Sequence, residues 1–200
     1  MTTMNDLYQD ESNHEACTQC GMCISCGDCL CKFKDTRLLI INGYPASGKD
    51  TFAMMLIEEI LSYGLFGSIV SSVDNVKWAA EILGWDKKKD EKGRNALSAL
   101  KDFSTQWWDG PFNTMCENAN YCGSSEAIVF MVREPEEIAR FVAKYPNTLT
   151  IFIQRDSCEK ASNHADTNVE NYSYDFYVEN NDSLEELRDS AKFIAHQIYG

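Results

Sequence analysis

The chain has no apolar run approaching the roughly 18 residues that a membrane-spanning helix requires. Its opening stretch, MTTMNDLYQDESNHEAC, is polar and acidic, without the basic region or the apolar segment of a secretory signal. These two absences lead us to expect a cytoplasmic protein. Positive charge is scarce too. Eighteen Lys and Arg stand against 31 Asp and Glu, a net charge of −13, and only six of the eighteen are Arg. That balance argues against nucleic acid as partner, since phosphate backbones attract Lys and Arg, and the lack of a long apolar run leads us to expect no membrane partner. A small phosphate ligand needs only a few local cations, which an acidic chain still supplies. Histidine is rare, and His14, His164 and His196 show no paired ligand spacing. Neither a D-x-x-G switch after the third expected strand nor an N-K-x-D base-reading motif is present, which argues against a GTPase.

What is there suits one ordinary domain with a short appendage: 200 residues, 44% of them hydrophobic, enough for one core. The composition breaks near Asp35. Residues 1–35 hold almost no aliphatic side chains and six of the nine cysteines, and we expect them to form a separate Cys-rich arm. Residues 36–200 read as a strand–helix series. LLIIN, from Leu38, is a short buried strand. Phe52, Met55, Leu56 and Ile60 make one face of a helix from 49 to about 63. SIVSSV (68–73) is a second strand and 75–83 a helix stopped by Gly84. A charged loop over 86–94 runs into a helix to about 105, which Trp107-Trp108-Asp-Gly-Pro breaks. AIVFMV (127–132) is a buried strand, and Pro135 with two glutamates opens the next helix. Strands follow at 149–153 and 176–178. Ser183 with Glu186 is a capping box, and Leu184, Leu187, Ala191, Ile194 and Ile198 form the buried stripe of the last helix. Alternation of this kind predicts the α/β class, a parallel sheet with helices on both faces.

Between the first strand and the first helix lies Gly43-Tyr-Pro-Ala-Ser47-Gly48-Lys49-Asp50-Thr51, the pattern G-x-x-x-x-G-K in its proper context. Glycines at both ends permit a tight turn whose amides converge on an anion. The helix N-terminus adds the positive end of its dipole, and Lys49 reaches the β- and γ-phosphates. Gly43, Ser47, Gly48, Lys49, Asp50 and Thr51 are therefore the expected ATP-binding residues. Asp50 stands where the usual motif has Ser or Thr to meet Mg²⁺, so Thr51 is the candidate hydroxyl one place later.

The run Ser47-Gly48-Lys49-Asp50-Thr51 resembles phage-type deoxynucleoside monophosphate kinases and is similar to animal phosphomevalonate kinases. Adenylate kinases have a related loop with Gly at the Asp position. The likeness extends more weakly over 38–200 and implies a nucleotide-kinase-like P-loop fold. It implies a substrate-binding role for Arg94 at the head of a charged helix and an acceptor-phosphate arginine at Arg133. Arg155 would stand at the start of a lid over about 156–174, and residues 180–187 would make the closing corner. Members often carry an Asp two residues before that arginine to help hold Mg²⁺. Here the place is Met131, so metal contact would fall to Thr51, Asp50, Asp74 or Glu134.

The residues themselves support parts of this. Phosphoryl transfer needs aligned partners and positive charge on the moving group, and arginine grips phosphate with a planar fork. Arg133 and Arg155 each follow a strand at the sheet edge where ligands bind. Lys49, Arg133 and Arg155 are the expected catalytic set, and Asp74, Arg94 and Arg133 the substrate-binding set. The alternative for each arginine is a surface ion pair, and Asp74 reads equally as a helix cap. Trp107 and Trp108 are read as core, with stacking on a base as the alternative.

The spacing Cys17-x-x-Cys20-x-x-Cys23-x-x-Cys26-x-x-Cys29-x-Cys31 is too regular for chance. Its start looks like a ferredoxin cluster motif, but the three-residue gap and Cys-Pro are missing. A zinc-binding loop is the first reading of these six ligands, with an iron–sulfur cluster or redox thiols as alternatives. The expected activity is thus an ATP- and Mg²⁺-dependent kinase of nucleoside or deoxynucleoside monophosphates. Kinase action on a non-nucleotide phosphate, or a non-catalytic nucleotide sensor with a metal-binding arm, stand as alternatives.

Overall fold

The computed structural model describes residues 36–88, 90–158 and 168–200. The cysteine arm at 1–35 and most of the expected lid lie outside the described residues. Five parallel strands form one sheet in the order β2-β3-β1-β4-β5: β1 Leu38–Gly43, β2 Phe66–Ser71, β3 Glu126–Met131, β4 Leu149–Gln154 and β5 Phe176–Glu179. Six helices are described: α1 Lys49–Ser62, α2 Asp74–Ile82, α3 Glu91–Trp108, α4 Gly110–Tyr121, α5 Pro135–Lys144 and α6 Leu184–Tyr199. The α/β architecture agrees with expectation.

The central strands are continuous apolar runs because both their faces are covered. Leu39 and Ile41 of β1 face a core closed by Phe52, Leu56 and Ile60 of α1 and Leu187, Ala191 and Ile194 of α6. Ile40, one step out of phase, faces the opposite core with Met115 of α4 and Ile138 and Phe141 of α5. A two-residue period on the strand thus assigns α1 and α6 to one face and α4 and α5 to the other. Each fully buried Leu, Ile or Phe contributes on the order of 1.5–3 kcal/mol through removal from water.

Local signals set the helix ends. Ser183 Oγ accepts from Glu186 N at 3.3 Å, the first half of the expected capping box. Asp90 caps α3 through Gly93 N at 2.8 Å. Pro135 opens α5, with Glu136 and Glu137 in its first turn and Lys144 in its last, each sign complementing the helix dipole.

The stretch Trp107-Trp108-Asp-Gly-Pro breaks the helix, as expected, and the break is a corner into a further helix, α4, which was not expected. Asp109 takes the left-handed conformation (φ 57°) and Pro111 lies in the first turn of α4, a position where its missing N–H costs nothing. One expectation fails: the two tryptophans do not fill the core, Trp107 being 73% and Trp108 44% exposed. Gly93 is the one buried residue of the whole of α3. No helix among the described residues is long and apolar enough to cross a membrane.

Candidate active site

Because every strand runs the same way, all five C-terminal ends reach one edge of the sheet. Strand β1 lies in the middle, between β3 and β4, and the crevice at such an edge is where ligands of open parallel sheets sit. The loop from Gly43 to Gly48 leaves β1 there and turns directly into α1. Gly43 (φ 154°) is hemmed in: a Cβ would stand 2.5 Å from the Ile153 carbonyl oxygen and 2.7 Å from Ser47 Oγ. Gly48 (φ 91°) has a left-handed conformation that a side chain would strain. Ala46 shares that conformation (φ 62°) without being glycine.

Inside the turn, Ser47 N donates to the Tyr44 carbonyl at 3.1 Å. Lys49 Nζ donates to the same carbonyl at 3.1 Å, its side chain folded against the loop and 8% exposed. The first backbone amide of α1 to find an intrahelical acceptor is that of Phe52, bonded to Gly48 O at 2.9 Å. No side chain caps this helix, so the amides of its first turn open towards the exposed Asp50 and Thr51. An uncapped helix start beneath a glycine-bounded loop with a lysine folded into it is an anion cradle in form. Ser47 Oγ is buried without a hydrogen-bond partner among the described residues. Burial, with Glu170 as neighbour, pushes the Tyr44 hydroxyl up to about 12.

Strand register places the other candidates. Ile41 pairs with Met131, and Gly43 with Ile153. Arg133 is the second residue beyond β3, the strand beside β1. A side chain of β1 ties it to the loop. Asn42 Nδ2 donates to Arg133 O at 3.0 Å and to Tyr174 Oη at 2.7 Å, while Gly43 N donates to Asn42 Oδ1 at 2.8 Å. Arg155 is exposed just beyond β4, and the next amide, Asp156 N, donates to Asn181 Oδ1 at 2.8 Å.

Asp74 lies at the same edge, just beyond β2. Its carboxylate accepts from Ser71 N at 2.8 Å and from Lys77 Nζ at 2.8 Å, so it fixes the β2–α2 turn. Arg94 is exposed in the first turns of α3, about 10 Å along the helix from Lys101, which ties that helix to the edge. The loop, Arg133, Arg155 and Asp74 are thus gathered at one edge, with Arg94 on the helix beside it.

No protein-family model matches this chain, and no curated protein matches it. Among solved structures, the APS kinase CysC of Mycobacterium tuberculosis, as a cysteine-to-alanine mutant, is similar at 15% identity and a TM-score of 0.42. The match covers 80% of this chain and 95% of that one. The same kinase in complex with AMPPNP and APS is similar at 13% identity and a TM-score of 0.42, over 80% and 96% of the two chains. At such values the likeness is to general layout, and the site is read below from its own geometry.

Sequence reasoning missed a polar cluster just beyond the end of β3. Lys101 of α3 pairs with Glu134, the residue after Arg133. Glu137, one turn further, has a buried Oε2 without a hydrogen-bond partner among the described residues. Its carboxyl is pushed up to about 7, first by burial and against the pull of Lys101, with Glu134 adding to the rise. The usual glutamate value is 4.5, so between about 4.5 and 7 the folded protein keeps a proton that the unfolded chain has released. Stability from this group is therefore present at low pH and lost as pH rises through that window. Glu137→Gln mimics the protonated form. It is expected to raise the thermal midpoint at pH 8 and to change it little near pH 4. Equal midpoints for variant and wild type at pH 8 would show that Glu137 ionises without cost.

Proposed function

We propose that this chain is a P-loop phosphotransferase that moves the γ-phosphate of ATP onto a small phosphorylated acceptor, a nucleoside or deoxynucleoside monophosphate before others. The observation that carries the reading is the cradle itself: a glycine-bounded turn, an uncapped helix start and Lys49 folded against the loop, at the central strand of a parallel sheet. In this reading the loop amides and Lys49 hold the triphosphate. Arg133, tied through its carbonyl to Asn42 beside the loop, holds the acceptor phosphate, and Arg155 approaches the moving group from the other side. Arg94 and Asp74 belong to the acceptor side. Transfer then follows from alignment and from positive charge on the equatorial oxygens.

Mg²⁺ fits the residues present. It binds through one or two protein oxygens plus the phosphates rather than in an all-protein cage. Thr51 and Asp50, exposed at the start of α1, are the groups that would meet it, since Asp74 and Glu134 are each engaged by a lysine. Bound there, the ion would neutralise charge between the β- and γ-phosphates. Location in the cytoplasm, and zinc or an iron–sulfur cluster on Cys17, Cys20, Cys23, Cys26, Cys29 and Cys31, belong to the same proposal.

A second reading, a nucleotide sensor with weak catalysis, is favoured by one observation: half-buried Met131 ends β3 where an acidic group would strengthen the metal site. A coupled assay of ADP release with a panel of monophosphates separates the two. The enzyme reading expects acceptor-dependent ADP from at least one nucleotide. ATP binding with no turnover on any acceptor would favour the sensor.

The arm supplies a further test. The arm holds almost no aliphatic residues to bury, and the described members of both cores form a strand–helix series of their own, so a chain beginning near Lys34 is expected to unfold cooperatively and to bind ATP like the full chain. Elemental analysis should find zinc or iron in the full chain purified without oxygen, and none in the truncated one. Freely titrating thiols in a metal-free full chain would end the metal proposal.

A further inference from the structure

The chain returning from β5 passes directly behind the phosphate-binding loop. Asn180, the first residue beyond that strand, is 9% exposed, and its Nδ2 donates to the Ser47 carbonyl at 2.8 Å across 133 residues of sequence. Its own backbone N donates to Gln154 O at 2.8 Å, which fixes Asn180 to the end of β4. The approach is so close that a Cβ on Gly48 would stand 2.2 Å from Asn180 Nδ2. Residue 48 is therefore held to glycine by a neighbour as well as by its own φ. Ser47 is gripped from both sides, since its N–H is bonded to Tyr44 O.

The bonded carbonyl belongs to the Ser47–Gly48 peptide, the same unit that carries the Gly48 N–H. A donor on the carbonyl fixes the plane of that peptide and polarises its N–H towards stronger donation. It also satisfies a backbone acceptor that would otherwise be left unpaired beside the left-handed Ala46 and Gly48. Apolar residues at position 180 would remove both effects without touching any phosphate.

We infer that Asn180 is a positioning residue for the phosphate-binding loop, holding the Ser47–Gly48 peptide in the orientation that receives a polyphosphate. This rests on the triphosphate reading of the loop. Titration calorimetry of the full chain with Mg·ATP and with inorganic tripolyphosphate tests it, using wild type, Asn180→Leu and Asn180→Ala. Tripolyphosphate has no nucleoside, so its affinity reports on the loop alone. Both ligands are expected to weaken together, by about 10-fold, the worth of one well-placed hydrogen bond. Thermal unfolding should stay cooperative, and the alanine variant decides if leucine does not fold. Wild-type affinities with only a lowered thermal midpoint would make Asn180 a brace for the β5–α6 corner and overturn the inference. So would a loss confined to ATP, which would put Asn180 against the nucleoside. Failure of wild type to bind either ligand would instead overturn the triphosphate reading, and this inference with it.

Discussion

Lys49→Ala is expected to lower turnover by at least about 10²-fold while leaving the fold intact, because one preorganised charge on a transferring phosphoryl group is worth that much. The side chain lies 8% exposed with its ammonium on the Tyr44 carbonyl, so it is already placed before any ligand arrives. The core beneath α1 is built by Phe52, Leu56 and Ile60 and does not include Lys49, so the variant should keep a cooperative transition. Lys49→Arg should not restore activity, since a planar fork cannot occupy the place of a compact ammonium in so tight a turn. Steady-state turnover and calorimetric ATP affinity check both variants. Unchanged values in Lys49→Ala would remove the phosphate-loop reading.

Arg133→Lys is expected to raise the acceptor KM or lower kcat by about 10-fold, and Arg133→Ala by about 10²-fold, with ATP affinity within about twofold of wild type. The residue follows β3 by two positions, and Asn42 ties its carbonyl to the start of the loop, so its backbone position is set by the end of the sheet. What the substitutions change is therefore the head group alone. Lysine keeps the charge and loses the bidentate grip, which separates geometry from net charge. An equal fall in ATP affinity without acceptor would move Arg133 to the donor side.

The strand–loop–helix unit that carries the loop was legible because two independent signals coincide there. LLIIN is apolar on both faces, as a central parallel strand must be, and the glycine spacing follows at once. The arginines after strands were legible for a related reason: once the strands are parallel, residues after their ends share an edge. Helix α4 was not, because Gly110 and Pro111 read as a break when seen along the chain. Only the left-handed Asp109 shows that they turn a corner, and Pro at a helix start is favourable. The tryptophans were misplaced because aromatic mass indicates burial only when a neighbouring element covers it, and α3 has few such neighbours. Asn42 and Asn180 carried no periodic signal at all. Their partners lie 91 to 133 residues away for the bonds that matter, and only the fold brings them together. Glu137 was read as a favourable first-turn carboxylate, which it is, but its burial against Lys101 and Glu134 depends on where α3 packs.

The most direct test of the central claim is calorimetric titration of the full chain with Mg·ATP, Mg·ADP and AMP. A cradle for the β- and γ-phosphates predicts saturable binding of ATP, at least about tenfold tighter than AMP at the same site, and weakened to the AMP level in Lys49→Ala. Equal affinity for ATP and AMP, or ATP binding that survives loss of Lys49, would contradict it.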